Sequence, residues 1–231
     1  MEIDADARLL TATGRVRITD GQIVATAAQA RLFSREGRVA LTGHAKVVGP
    51  QGTLEGDEIT LTYKTRAITG IVGRGNARLA LKTGALTATT VALDPAADTV
   101  AAEERVTFTT APGVVARGRR MTYQRARGLA VIEGEARLQN RDGFIQGDRI
   151  EGSERFERAV VTGSVFGSFR DIEVRSQSAE LFGAERKAVF VGDVELKQTG
   201  RWMSTEKVTV WYGDGRLVAE GYTRVRIEPP P

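Results

Sequence analysis

The sequence predicts an all-β protein in which two antiparallel sheets face each other and grow by a repeat of about 30 residues. Three observations predict this fold class: a unit centred on glycine recurs, its flanks alternate apolar and polar residues, and short turns join the flanks. The eight central positions are Gly14, Gly43, Gly75, Glu104, Gly134, Gly163, Gly192 and Gly221. Since no linker interrupts the repeat, we expect residues 1–231 to form a single continuous domain.

Each unit is expected to contain a strand through the central glycine, a tight turn, a return strand and a looser turn. In the first unit, residues 15–18 alternate, Asp20 and Gly21 form the tight turn, and residues 23–33 form the return strand. Later tight turns are expected at 49–52, 82–84, 111–113 and 140–143, and looser turns at 34–37, 94–98, 183–186 and 213–215. Such short connections are typical of antiparallel hairpins and argue against the alternative, a parallel β-solenoid.

Period-2 spacing assigns one face of each strand to the interior. We expect the central glycine to let a long strand bend as it passes from one sheet to the other. The interior residues that would line an apolar groove between the sheets are Val16, Ile18, Val47, Leu54, Leu79, Leu86, Val106, Phe108, Val115, Leu138, Ile145, Val174, Val194, Leu196 and Met203. Small interior residues such as Ala45, Ala77 and Ala136 indicate that the sheets do not close completely.

The composition excludes several classes of protein. The net charge of +4 is small against 33 basic and 29 acidic residues, which are mixed along the chain, so nucleic-acid binding is not expected. No apolar run is long enough to span a membrane. The chain has 0 cysteines, so disulfides and thiolate metal sites are absent. Met1 precedes an acidic segment, and we expect it to replace a removed leader.

Catalytic chemistry is not expected. His44 is the only histidine and occupies an outward position, so no nitrogen or sulfur partner completes a metal site or a catalytic triad. The neighbouring carboxylates Glu103 and Glu104 point to opposite faces of a strand and cannot act as an acid/base pair. Gly73 and Gly75 lack the third glycine of a phosphate-binding loop. We therefore predict no catalytic residue, no cofactor and no metal.

The repeated motif resembles the OstA-like family of lipopolysaccharide-transport proteins, the family of LptA-type and LptC-type domains and of the LptD N-terminal domain. The resemblance is carried by Leu41-Thr42-Gly43-x-Ala45 followed by Gly56-Asp57-x-Ile59-Thr60-x-x-Tyr63. It returns as Gly134-x-Ala136-x-Leu138 with Gly147-Asp148-Arg149-Ile150, and as Val191-Gly192-Asp193-Val194. This chain has more repeats than the short bridge proteins of the family.

The resemblance implies a twisted, half-open antiparallel jelly roll in the periplasm, without enzymatic activity. It implies that acyl chains of lipopolysaccharide or a similar glycolipid are shielded in the interior, and that the ends join other jelly-roll proteins or another copy through edge strands. The chain could then be a longer bridge protein or the non-membrane part of an inner-membrane or outer-membrane component. Association with a membrane would come through a partner.

Two further sets of residues follow from the repeat. Arg78 and Arg137 belong to an outward row, three places after the central position, that could contact anionic headgroups; a solvated outer face is the simpler interpretation. Ile3, Arg224 and Arg226 lie in the alternating segments at the two ends, where edge strands could associate head to tail. Pro229, Pro230 and Pro231 could block the last edge instead.

Two other functions stay open at this point. One is a structural or adhesive β-repeat protein with a filled core and no lipid cargo, in which large interior side chains would touch across the sheets. The other is a polysaccharide-binding protein, which would require exposed rows of aromatic residues. Trp202, Trp211 and Tyr212 form only one small aromatic cluster.

Overall fold

The computed structural model describes residues 2–4, 9–64, 67–110 and 113–227, with side chains from residue 9 onward. Almost all of these residues are in strands, and a single 3-10 turn spans Arg125–Arg127. The strands are β1 Glu2–Asp4, β2 Leu9–Asp20, β3 Ile23–Phe33, β4 Arg38–Gly49, β5 Gly52–Lys64, β6 Ala67–Leu81, β7 Gly84–Asp94, β8 Thr99–Thr110, β9 Val115–Gln124, β10 Leu129–Asn140, β11 Gly143–Ser153, β12 Arg158–Phe169, β13 Ile172–Phe182, β14 Lys187–Gln198, β15 Arg201–Trp211, β16 Arg216–Glu220 and β17 Arg224–Ile227.

The chain divides into two compact units. Unit 1 contains residues 1–108 and 120–127, and unit 2 contains residues 109–119 and 128–231. In unit 1, β2 to β7 pair in sequence order, each antiparallel to the next. In unit 2, β10 to β15 pair in the same way. The predicted all-β antiparallel fold is confirmed, and the parallel solenoid is excluded; the single continuous domain stays a prediction.

The long strands β2, β4, β6, β10, β12 and β14 each contain a β-bulge at their central position. In β4 and β5, Thr42 pairs with Glu58 and Ala45 with Gly56, so two residues of β4 lie opposite one of β5. The bulge contains two successive residues with positive φ, Gly43 at 76° and His44 at 55°. The same pair of left-handed residues recurs at 75–76, 104–105, 134–135, 163–164 and 192–193. A bulge bends its strand, so the predicted bend involves two residues in these strands rather than the glycine alone.

The bulge divides every strand into a tight-turn half and a loose-turn half, named after the turn at its end. In β5, which lies opposite the bulge, the buried residues on its two sides are Leu54 and Ile59, five positions apart, so the parity of the buried residues changes along this strand. The two halves face each other within a unit. A Cβ added to Gly73, in the loose-turn half of β6, would lie 3.2 Å from Cδ2 of Leu54, in the tight-turn half of β5.

Unit 2 shows the same arrangement with larger side chains. Phe169, in the tight-turn half of β12, contacts Phe190, in the loose-turn half of β14, edge to face with ring centroids 6.3 Å apart. The two facing layers are therefore the two halves of one set of bent strands. Hydrogen bonding joins β10 to β15 into one sheet that folds on itself, where the sequence analysis expected two sheets.

The last strand of unit 2 is divided in two. β16 pairs with residues 207–211 of β15, and β17 pairs with residues 201–204 of the same strand. Gly221 has a φ of 93° at the break. The Thr205 hydroxyl donates to the Glu220 carbonyl at 2.9 Å and lies 3.0 Å from the Thr223 hydroxyl. These contacts hold the chain across the break.

Candidate functional site

The predicted interior residues lie in the core of each unit. Eleven of the fifteen are buried, with at most 5% of their surface exposed: Val47, Leu54, Leu79, Leu86, Val106, Phe108, Leu138, Ile145, Val174, Val194 and Leu196. Each such side chain contributes about 1.5–3 kcal/mol through removal of apolar surface from water. The interior over the middle of the strands is therefore filled by the protein's own side chains.

Four predicted interior residues are only half-buried: Val16, Ile18, Val115 and Met203. Val16 and Ile18 belong to the part of β2 beyond residues 9–11, where the described pairing with β1 stops. Met203 pairs with Val225, which is itself 60% exposed. These three positions are therefore in or beside the terminal strands of the described part of the chain.

Val115 is half-buried at the start of β9. Its neighbour Ala116 is the fully buried residue of this part of β9, with 0% exposure. Neighbouring residues of a strand point to opposite faces, so the more buried face of β9 here is that of Ala116.

Two clefts lie between the turns. A cleft of about 540 Å³ in unit 2 is lined by residues of the 140–143 tight turn and of the 153–157 and 183–186 loose turns. A cleft of about 350 Å³ in unit 1 is lined by the 20–23 and 49–52 tight turns and by the loose turn around Pro95 and Asp98. Both volumes are within the range of small-molecule sites. Of the fifteen predicted lining residues, Val47, Leu138 and Ile145 border these clefts.

Polar contacts join a tight turn to a loose turn beside each cleft. In unit 2, the Arg186 guanidinium binds the Asp142 carboxylate through two hydrogen bonds, one of them from Nε to Oδ2 at 3.2 Å. In unit 1, Gln51 Nε2 donates to Asp98 Oδ1 at 3.2 Å and to the Asp94 carbonyl at 3.3 Å. Arg125 lies 3.4 Å from the same Asp98 oxygen. The sequence analysis did not identify these residues.

Tyr212 forms part of the wall of the unit 2 cleft. Its ring is 2% exposed and stacks on Phe169, and its backbone N–H donates to the Arg186 carbonyl at 3.0 Å. Burial raises the pKa of the Tyr212 hydroxyl above its ordinary value, and the nearby Asp142 charge raises it further, while Arg186 acts in the opposite direction. The hydroxyl is therefore neutral beside the Asp142–Arg186 pair at ordinary pH.

The two predicted headgroup residues have different surroundings. Arg78 is exposed on the outer face of β6. Arg137 is half-buried, and its guanidinium carbon lies 3.5 Å from the ring centroid of Phe144. The basic residues of the outward row lie beside residues of the return strands, and some of these are acidic. Lys46 of the row forms an ion pair of 2.9 Å with Glu55 of β5. Neither Arg78 nor Arg137 borders the two clefts, so their role with headgroups stays a prediction.

The two ends of the strand order differ. β1 pairs with β2, with Ile3 opposite Leu10, which covers only the first part of β2. The side chains of Ile3 and of its acidic neighbours, and the whole of Pro229, Pro230 and Pro231, lie outside the described residues. At the other end, Arg224 and Arg226 are exposed in β17, and so are Val225 at 60% and Ile227 at 72%. β17 thus presents apolar side chains and cations together.

His44 is exposed, as predicted. In the ranges that the structure describes, no three histidine, aspartate or glutamate side chains are grouped as metal ligands. Over those ranges, no helix has the length and apolar character needed to cross a bilayer.

Comparison with known proteins identifies a family for the N-terminal part of the chain. Residues 2–67 match the family described as "LptA/(LptD N-terminal domain) LPS transport protein". This match confirms the resemblance predicted from the repeated motif. Among curated proteins, none matches the chain in sequence.

Solved structures include a similar chain of low sequence identity. It is the LptH protein of Pseudomonas aeruginosa, whose structure is described as that of the LptA homologous periplasmic component of the conserved lipopolysaccharide transport device. The similarity has 12% identity and a TM-score of 0.47, and covers 50% of this chain and 95% of that chain. At this level the similarity does not establish a shared function.

Proposed function

We propose, from the match of residues 2–67 to the LptA/LptD N-terminal family, that the protein is a non-enzymatic, periplasmic lipid carrier. Its cargo is lipopolysaccharide or a similar glycolipid on the way to the outer membrane. The family match is the observation that carries the proposal. The apolar interior of both units, with a cleft at the turns of each, supports it.

The physical task of such a carrier is to keep acyl chains out of water. Each exposed methylene costs about 0.8 kcal/mol, so a chain of about a dozen carbons costs on the order of 10 kcal/mol. An apolar interior removes that cost without covalent chemistry. Because the middle of the interior is filled, a chain would enter at a cleft and separate the facing halves of the strands. The energy for directed movement would come from another component.

Photo-crosslinking tests the proposal. A photoreactive residue at Leu138, which borders the unit 2 cleft, should label lipopolysaccharide when the protein is mixed with it. The matched control is the adjacent Arg137, on the other face of β10. Strong labelling at 138 with weak labelling at 137 supports the proposal. Equal labelling at both positions contradicts an interior site, and native mass spectrometry of protein from a membrane-bearing host shows independently whether a lipid is retained.

We also propose that the ends of the strand order bind other jelly-roll proteins or a second copy. Two exposed apolar residues of β17, Val225 and Ile227, support this, because edge strands that expose apolar side chains attract further strands. A head-to-tail contact of this kind builds open filaments rather than closed dimers. It would continue the apolar interior from one molecule to the next.

A specific observation favours a second function. Eleven predicted groove residues are buried by the protein itself, as expected for a structural β-repeat protein with a filled core. Such a protein would act as a spacer and bind no lipid. The crosslinking experiment separates the two functions, because a filled spacer leaves both position 138 and position 137 unlabelled.

A further inference from the structure

The cleft of unit 2 has an apolar floor and a polar rim. Its floor includes Leu138, Ile145, Phe156, Phe169 and Leu181. The rim is formed by side chains of the turns. Arg141 and Arg155 are exposed there, and the side chain of Arg141 is 83% exposed. An apolar floor beneath exposed cations matches an amphiphile with one apolar chain and an anionic head.

The Asp142–Arg186 pair spans this rim from the tight turn to the loose turn. The Asp142 side chain is 12% exposed and that of Arg186 is 39% exposed. The contact has two points, Nε and a terminal nitrogen of the guanidinium each donating to one carboxylate oxygen. A two-point Arg–carboxylate contact that is partly shielded from water is among the stronger polar contacts in proteins. It therefore holds the two turns together.

The backbone at Arg186 has a conformation that favours glycine. The last residue before the strand after a loose turn has positive φ in five turns: Gly37, Asp98, Gly128, Arg186 and Gly215. Three of these are glycines. A residue with a side chain in this conformation costs about 1–2 kcal/mol relative to the ordinary conformation.

Three of these five positions share a backbone hydrogen bond as well as a positive φ. The carbonyls of Gly37, Asp98 and Arg186 each accept a backbone N–H from the next loose turn, at 2.8, 3.1 and 3.0 Å. The two non-glycine residues of this set are also the two whose side chains reach a tight turn. In each unit, the residue with the strained backbone is therefore also the residue whose side chain makes the contact across the cleft.

We propose that the Asp142–Arg186 ion pair is a latch on the unit 2 cleft, and that the anionic head of an entering amphiphile opens it by competing with Asp142 for Arg186. The inference rests on the proposed lipid-carrier function and specifies how the interior is reached. A ligand shifts such an equilibrium only through its different affinity for the two states. The phosphate or carboxylate of the head supplies that difference, because it replaces Asp142 as the acceptor of the guanidinium N–H groups.

The test measures how fast an amphiphile enters. The probes are dansyl-labelled undecanoic acid and its methyl ester, which have the same chain and differ in the charge of the head. Association with the whole protein is followed by stopped-flow fluorescence. The matched control is Glu220→Gln, which removes the carboxylate of the Lys207–Glu220 pair, 2.9 Å long and outside the cleft.

With the latch as proposed, Asp142→Asn speeds association of both probes about tenfold, as expected for loss of a charge-assisted contact. Arg186→Gln also speeds association. In the unaltered protein the acid is expected to associate faster than the ester, and in Arg186→Gln this difference is lost. The double variant Asp142→Arg, Arg186→Asp restores the pair and the slow rate, which a merely destabilised protein would not do. If Asp142→Asn fails to fold, Arg186→Lys, which loses the two-point contact but keeps the charge, replaces it.

Two results would overturn the inference in different ways. If the probes bind and Asp142→Asn associates at the rate of the unaltered protein and of Glu220→Gln, the latch is wrong and the lipid carrier stands. If neither probe binds to any variant, the proposed lipid function fails together with the latch. A faster rate for the ester alone in Asp142→Asn would refute competition by the anionic head.

Discussion

Tyr212 stacks on Phe169 with the ring centroids 4.9 Å apart and an angle of 11° between the rings. Phe169 ends β12 and Tyr212 directly follows β15, and both residues line the unit 2 cleft. A stacked aromatic pair contributes about 0.5–1.5 kcal/mol beyond the burial of its area. It therefore resists separation of the two halves beside the Asp142–Arg186 pair.

The first prediction concerns the Tyr212 hydroxyl at alkaline pH. Since its pKa is raised in the folded protein, the neutral form is favoured by folding. The associated stability is complete below the unfolded pKa of about 10 and is lost as pH rises through the higher folded pKa. We expect Tyr212→Phe, which keeps the stacked ring, to weaken the fall in unfolding free energy above that pH. Denaturant titrations of both proteins across this range measure it, and identical pH profiles would contradict the prediction.

The second prediction concerns the central position of the fourth repeat. Glu104 has a φ of 60° where most of the other repeats have glycine. Glycine would relieve about 1–2 kcal/mol of strain and cost about 0.5–1 kcal/mol in backbone entropy. We therefore expect Glu104→Gly to raise the free energy of unfolding by about 0.5–1 kcal/mol, measured by denaturant titration.

The matched opposite change is Gly43→Ala, which should lower the free energy of unfolding. At φ 76° an added Cβ would lie 2.8 Å from the Ala28 Cβ, so the substitution adds a clash to the strain. Destabilisation by Glu104→Gly would show that the glutamate makes a contribution that its backbone conformation does not reveal.

The third prediction separates the two arginines of the outward row. Arg137 lies against Phe144, and a cation over an aromatic ring contributes about 0.5–1 kcal/mol or more when partly desolvated. Arg137→Gln should lower the unfolding free energy by about 1 kcal/mol, whereas exposed Arg78→Gln should change it by less than about 0.5 kcal/mol. Thermal melts of the two variants at one pH make the comparison. Equal effects would mean that the ring contact is not retained in solution.

A binding measurement on the same two variants tests their predicted contact with headgroups. If the row meets anionic heads, both substitutions weaken lipopolysaccharide binding at low salt and less so at high salt. Unchanged affinity at low salt would leave only the role of a solvated outer face.

The fourth prediction concerns the exposed last strand. Arg224→Glu with Arg226→Glu should reduce concentration-dependent oligomers, measured by sedimentation velocity at low salt. The control is Arg170→Glu with Lys197→Glu, two exposed cations of unit 2 outside β17. A monomer at every concentration in the unaltered protein would argue that these edges bind other partners or none.

The strand order and turn positions were predictable from the sequence because they follow from the repeat and its alternation. Hairpins at 49–52 and 140–143 and the loose turn at 94–98 are where glycine, proline and aspartate indicate them. The burial of Leu54 and Ile59, five positions apart, follows from the same alignment. Local pattern is sufficient in these cases because each repeat of about 30 residues packs mainly against its neighbours in sequence.

The clefts were not predictable in this way. They depend on contacts between turns 43 or 44 residues apart, such as Gln51 with Asp94 and Asp142 with Arg186. Period-2 alternation assigns faces to strands but contains no information about how far facing halves are separated at their ends. One signal was present: Asp98 and Arg186 occupy turn positions where Gly37 and Gly215 stand in other repeats.

The repeated bulge gives the protein a modular length. Residues 134–162 form one whole repeat, from the glycine of one bulge to the residue before the glycine of the next. Removing such a 29-residue segment would join two equivalent backbone positions and preserve both the antiparallel order and the buried face. Removing one residue more or fewer would turn every following side chain to the wrong side. Evolution could therefore shorten or extend such a chain in steps of one hairpin.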